Sequence, residues 1–198
     1  MDCNSSLVID ELSDRTQKAG NLEIGLAYIY CDYRDQSQQT TVNLVGGMLK
    51  QLLLTLPNLP KAIIAIYEQK WQRERKRLEL PDAVTMLHTV CRTFSWTYIC
   101  LDALDECGDM NQLLKSLQEA PPSIHFFITG RKHIQTSVQR HFKEAVTITI
   151  EANESDIKAF IKTRIGENRI LEPDVMDETL EEEIMEKITA FSKGMSVL

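Results

Sequence analysis

No apolar run in this sequence approaches the ~20 residues that a bilayer crossing needs, and no early stretch is basic and then apolar as a secretion signal would be. Met1-Asp2 is not a myristoylation start. Basic charge is in deficit, with 22 Lys and Arg against 29 Asp and Glu and a net charge of −7. That field repels a phosphate backbone, so no nucleic acid is expected as a partner, while the missing span, signal and lipidation start make no membrane partner and a cytoplasmic location the expectations. The five cysteines, Cys3, Cys31, Cys91, Cys100 and Cys107, are odd in number and form no C-x-x-C pair with a matching histidine pair. They read as free thiols of a reducing compartment, with Cys31, Cys91 and Cys100 as small buried hydrophobes. Gly-Lys-Ser and Gly-Lys-Thr occur nowhere, no period of 20 to 50 residues repeats, and no low-complexity tract is present.

What is there is the balance of a globular chain, 198 residues long with 43% hydrophobic and 26% charged, enough for one domain or one and a part. Helical spacing predicts an opening helix over Ser5 to Lys18, with Gly20-Asn21 as its stop. Ile24 to Cys31 reads as a buried strand. Thr40 to Leu56 reads as a helix with Val42, Val45, Leu49, Leu52, Leu53 and Leu56 inward. Its Gly46 and Gly47 each cost about 1 kcal/mol against alanine, so close packing against a neighbour is expected there. Further helices are expected over Lys61 to Arg77, Asp82 to Phe94, Met110 to Glu119 and His133 to His141. Strands are expected over Ile124 to Thr129 and, from its alternation, over Val146 to Ile150. The basic run Arg73, Arg75, Lys76 and Arg77 reads as a solvated helix end. From Asn153, a cap, the texture becomes helical, with Ile157, Phe160, Ile161 and Ile165 on one face. A second helix over Met176 to Ser192 has Leu180, Ile184, Ile188 and Phe191 on its inner side. Strands separated by helices imply a mainly parallel sheet within an α/β fold.

Tyr98 to Cys107, reading YICLDALDEC, carries the chemistry. An apolar run of a length that suits a buried parallel strand ends in Asp102, Asp105 and Glu106, at the sheet end where open α/β folds hold ligands. Carboxylates packed together repel one another, so the cluster belongs beside a cation or facing water. An ordinary acidic loop after a strand is the alternative, and only context decides between them.

That context is a resemblance. AYIYCDYRDQSQQTTVNLVGGMLKQLL (Ala27 to Leu53), YICLDALDEC, FFITGR (Phe126 to Arg131) and EANESDIKAFIKTRI (Glu151 to Ile165) resemble, in order, the NACHT or nephrocystin-3-like P-loop NTPase module of STAND class, in the version common in filamentous fungi. DALDEC is the most specific element, and Cys31 to Gln36 (CDYRDQ) is a second hallmark. The resemblance implies that Asp102 holds Mg2+ through water, that Asp105 and Glu106 hold or activate the hydrolytic water, and that Arg131 is the sensor arginine. The family usually has serine where this chain has Gly130. Without the family pattern, Arg131 reads as a surface arginine in a turn. His125 and His133, lacking partners at ligand spacing, read as structural.

The resemblance further implies an incomplete three-layer P-loop NTPase fold. SSLVIDEL (Ser5 to Leu12) matches the helix that follows the P-loop, so Met1 falls near the place of the phosphate-binding lysine, and the C-terminus ends without punctuation. The expected organisation is a truncated NTPase core over 1–150 and the beginning of a helical subdomain over 151–198. The central strand would be lacking, and the strand at Val146 to Ile150 would shift inward or leave open edges. The parent would bind and hydrolyse ATP or GTP with Mg2+ as a conformational switch in signal transduction. This chain would hold neither tightly unless the P-loop were supplied. Alternatively, it is a non-catalytic fragment or degenerate paralogue that docks on full-length relatives or self-associates.

Overall fold

The computed structural model describes residues 3–19, 23–73, 78–151, 154–171, 178–192 and 196–197. The chain divides into two compact units, Met1–Val146 and Thr147–Leu198.

In the first unit, α1 (Cys3–Ala19) leads to β1 (Ile24–Tyr30), followed by α2 (Thr41–Thr55), α3 (Lys61–Tyr67), α4 (Leu80–Cys91), β2 (Trp96–Asp102), α5 (Met110–Leu117), β3 (Ile124–Ile128) and α6 (Gln135–His141). The three strands form one parallel sheet in the order β1-β2-β3, so the fold is α/β as the alternation of elements predicts. The strands are apolar and rich in β-branched and aromatic residues because a parallel strand is covered on both faces. β2 is the central strand, and from Thr97 to Asp102 only Tyr98 escapes full burial.

Side chains alternate along a strand, and that parity shows which helix covers which face. Leu26, Tyr30, Tyr98, Cys100 and Phe127 pack against Ile9 and Leu12 of α1. Gly25 and Ile29, of opposite parity, meet Leu52 and Gly47 of α2. The sheet is therefore sandwiched between α1 on one face and α2, with α4 packed beside it, on the other. A Cβ at Gly25 would lie 2.9 Å from the Phe94 ring, so only glycine lets α2 and the Phe94 turn approach β1 this closely.

The ends of the helices are specified locally. Thr40 caps α2 by accepting from the Asn43 N–H, Pro60 precedes α3, Pro81 occupies the first turn of α4, and Asp109 caps α5 through the Gln112 N–H. The helix expected over Lys61 to Arg77 keeps its α geometry only to Tyr67 and continues from Glu68 to Arg73 as a π-helix. The basic residues Arg75, Lys76 and Arg77, like Gly20-Asn21 and Asn153, lie outside the described residues.

Several packing expectations are corrected. The inner face of α2 is Thr41, Leu44, Val45, Met48, Leu49 and Leu52, rotated so that Val42, Leu53 and Leu56 are only half-buried. The glycine pair does not mark close packing at both positions: a Cβ on Gly47 would make ordinary contact with Ile29, and one on Gly46 would meet nothing within 4 Å. Gly46→Ala is therefore expected to raise the unfolding free energy by about 0.5–1 kcal/mol, measured by chemical denaturation, because it removes helix-interior glycine without a clash.

The strand expected over Val146 to Ile150 does not form. Val146 and Ile148 are 88% and 70% exposed. Only Ile150–Glu151 is a strand (β4), paired antiparallel with Ser196–Val197 (β5) in the second unit. Alternating β-branched residues favour an extended chain, but a strand also needs a neighbour, and the parallel sheet stops at β3. The second unit also holds α7 (Glu154–Leu171) and α8 (Glu178–Ser192), which pack together. Among the described residues of α7, Ile161 and Ile165 are buried, whereas Phe160 is exposed with Arg164 stacked over its ring; the side chains of Ile157 and Phe191 lie outside the described residues. Leu180 and Ile188 of α8 are likewise exposed. No helix among the described residues is long and apolar enough to cross a membrane.

Candidate functional site

Parallel pairing brings the carboxyl ends of β1, β2 and β3 to one rim. Tyr30 lies opposite Asp102 and Leu101 opposite Ile128, so the segments that leave the sheet there are Cys31 onward, Ala103 onward and Thr129 to Arg131. All four sequence-derived candidates, Asp102, Asp105, Glu106 and Arg131, stand on this rim.

Asp102 is the innermost, 4% exposed. Its Oδ1 accepts a 2.6 Å hydrogen bond from the Thr129 hydroxyl, which in turn accepts from the Ala103 N–H at 3.0 Å. The Thr129 carbonyl accepts from the Leu104 N–H at 2.9 Å. One threonine thus fixes both the carboxylate and the backbone that turns away from it. Thr129 was missed as a functional residue, although a hydroxyl ending a strand in register with the aspartate was a readable signal.

The turn itself is strained. Ala103 has φ 51° and ψ 47°, left-handed geometry that costs a non-glycine residue about 1–2 kcal/mol. It redirects the chain into a short 3-10 turn, Leu104–Glu106, whose Leu104 is fully buried. This turn sends its two acids to opposite sides. Asp105 faces β3: its Oδ1 accepts from the Arg131 N–H at 3.1 Å, and its Oδ2 lies 3.5 Å from Arg131 Nε. Glu106 faces β1: its Oε2 accepts from the Tyr33 N–H at 3.3 Å, and its carbonyl accepts from the Gln36 side chain at 3.0 Å. The hallmark tract after β1 is therefore a clamp on Glu106, another role that sequence spacing did not reveal.

Charges on the rim are unevenly matched. The Asp105 side chain is 5% exposed and Arg131 71%, so the pair is open to water on the arginine side. Arg34 folds back onto Asp32, and this bond holds the Asp32 carboxyl down to about 2. Among the described residues no cationic side chain pairs with Asp102. Gly130 sits between these groups, and a Cβ there would be 2.5 Å from Ile134 Cδ1 and 3.2 Å from Asp105 Oδ1, so a side chain would force Ile134 to move.

Beside Asp105 opens a cleft of about 280 Å³, walled by Asp105, Cys107, Asp109, Met110, His133 and Ser137. Asp102 is not part of its wall. His133 is exposed, and His125 stacks with Trp96 and Tyr98 at the opposite end of the sheet. His133 thus shares the cleft with Asp105 and Asp109, whereas His125 is away from the carboxylates.

A sequence model of the family described as Nephrocystin 3, N-terminal, matches residues 3–131. The chain belongs to this family. The matched stretch runs from the first residue of α1 to Arg131, and so contains the whole parallel sheet and every candidate of the rim. No curated protein and no solved structure matches the chain.

A resident divalent cation can be tested against these residues. No group of three or more His, Cys, Asp or Glu side chains among the described residues is arranged to hold a metal, so a closed protein cage does not fit. A hydrated Mg2+ does fit, since it keeps most of its waters and takes one or two carboxylates plus phosphate oxygens. Asp102 suits that role, being a buried carboxylate held by a single hydroxyl and left without a counter-charge.

Proposed function

We propose that this nephrocystin 3 N-terminal domain forms the cation-binding half of a nucleoside-triphosphate switch of NACHT type, acting in signal transduction in a fungal-type modular protein. One observation carries the reading: a buried carboxylate, Asp102, with no cationic partner among the described residues, at the carboxyl end of the central strand of a parallel sheet. Ligands of open α/β sheets bind at that end.

In this reading Asp102 holds Mg2+ through water and Thr129 keeps its carboxylate aimed. A divalent cation held there would supply neutralising charge to the phosphates of ATP or GTP. Asp105 and Glu106 orient the attacking water from the strained turn, and Arg131, tethered to Asp105, meets the transferred phosphoryl group. Residues 1–150 form the NTPase core and 151–198 begin a helical subdomain. The phosphate cradle needs a G-x-x-x-x-G-K-[ST] loop, whose backbone N–H groups and lysine surround the phosphates, and these 198 residues hold none. By themselves they do not hydrolyse nucleotide.

A second reading, association with P-loop-bearing relatives or with other copies, is favoured by β3 lying at an edge of the parallel sheet among the described residues and by the exposed Val146.

Calorimetric titration with Mg–ATP and Mg–GTP tests the division of labour. The chain alone is expected to bind with Kd weaker than about 1 mM. Joined ahead of α1 to a strand and P-loop, it is expected to bind in a magnesium-dependent way that Asp102→Asn removes. Tight binding by the chain alone, or binding indifferent to magnesium and to Asp102→Asn, would overturn the reading.

A further inference from the structure

Two of the four buried free cysteines are explained by burial. Cys91 and Cys100 lie in the core with no thiol partner, and burial pushes them up to about 12 and about 11 respectively, the state of an inert small hydrophobe. Cys31 and Cys107 differ. Far apart in sequence, both are buried where the tract leaving β1 meets the turn leaving β2, near enough that each thiol perturbs the other.

The two loops are held together on both sides of this contact. On one side the Cys31 N–H donates to the Asp102 carbonyl at 3.0 Å. On the other, Tyr33 and Gln36 grip Glu106, and a Cβ at Gly108 would touch the Gln36 side chain at 3.5 Å. Core packing alone does not require two thiols at such a junction. Access is also provided for, because Cys107 forms part of the wall of the cleft beside Asp105. Cys31 is not part of that wall. Asp105 and Asp109 line the same cleft, so it disfavours anionic oxidants such as oxidised glutathione and admits neutral ones.

We propose that Cys31 and Cys107 are a redox-modification site, which a small neutral hydroperoxide converts into a disulfide stapling the tract after β1 to the acidic turn after β2. The Cys107 sulfur attacks the peroxide oxygen and the O–O bond breaks. The alcohol, or water from hydrogen peroxide, leaves with the thiol proton, and Cys107 becomes a sulfenic acid. The Cys31 sulfur then attacks the Cys107 sulfur, the S–O bond breaks, and water leaves with the Cys31 proton. Two thiols lose two electrons and two protons in all, and the peroxide is reduced. The staple holds Glu106 against Tyr33 and reverses with a dithiol. It stands independently of whether nucleotide binds at the rim.

The test treats the native chain with a small excess of hydrogen peroxide, alkylates the remaining thiols, and digests with trypsin without reduction. The expected product is peptide Ala19–Arg34 linked to peptide Thr93–Lys115, with the intact mass lower by two hydrogens and restored by dithiothreitol. The link is expected to persist in Cys100→Ser, to vanish in Cys31→Ser and Cys107→Ser, and to form more slowly with oxidised glutathione. Circular dichroism before and after oxidation is expected to be unchanged. A native chain whose Cys31 and Cys107 are both still alkylated after treatment would overturn the proposal. So would a Cys107 driven to sulfinic acid beside a free Cys31, a link that survives Cys107→Ser, or one that forms only in denaturant.

Discussion

Ile99→Ala is expected to lower the unfolding free energy by about 2–5 kcal/mol. Ile99 lies in the middle of the central strand, in register with Ala27 on one side and Phe126 on the other, and is fully buried. Truncating it leaves a cavity that the paired backbones on both sides cannot collapse to fill, so the transfer and cavity terms add. Leu54 on α2 is the control, because it is 75% exposed and its replacement by alanine should change stability by at most about 0.5 kcal/mol. Urea denaturation followed by tryptophan fluorescence measures both. Equal losses for the two variants would mean that β2 is not the centre of the core.

Thr129→Val is expected to cost about 2–4 kcal/mol although it conserves volume, because it abandons two polar groups at once. The Asp102 carboxylate loses its hydroxyl donor and the Ala103 N–H loses its acceptor, in a place where water is a poor substitute. The strained Ala103 turn loses one of its ties to the end of β3, leaving the Leu104 N–H to the Thr129 carbonyl and the Asp105–Arg131 contacts. Thr129→Ser keeps the hydroxyl and should recover most of the loss, which separates the hydrogen bonds from the packing. Asp102→Asn, by contrast, retains an oxygen that can accept from Thr129. It should change stability by no more than about 1 kcal/mol, which makes it a clean probe of charge at the rim.

The three strands were legible because β1, β2 and β3 are short, continuous apolar runs punctuated by polar turns, the pattern of strands covered on both faces. The same logic failed at Val146 to Ile150, where alternation reports a tendency to extend and says nothing about whether a neighbouring edge is in reach. Helix faces were legible to within a turn. The inward list for α2 was rotated because Thr41, Leu44 and Met48, rather than Val42, Leu53 and Leu56, complete the stripe that faces the sheet. Asp102, Asp105, Glu106 and Arg131 could be named from DALDEC and FFITGR, and register alone brings them to one rim. What could not be read was their internal division, with Asp105 tied to β3 and Glu106 to the loop after β1. Those partners depend on the left-handed Ala103, whose conformation nothing in the residue type announces. The Cys31–Cys107 contact was hidden for the same reason, since it exists only once β1 and β2 are neighbours.

The measurement that bears most directly on a cation at the rim is paramagnetic broadening of amide resonances by substoichiometric Mn2+, standing in for Mg2+, on the 198-residue chain and on Asp102→Asn. A cation site at Asp102 requires that Ala103 and Thr129 broaden first in the wild-type chain and stay sharp in Asp102→Asn. Broadening centred on the glutamates of α8, or at the rim but unchanged by Asp102→Asn, would contradict it.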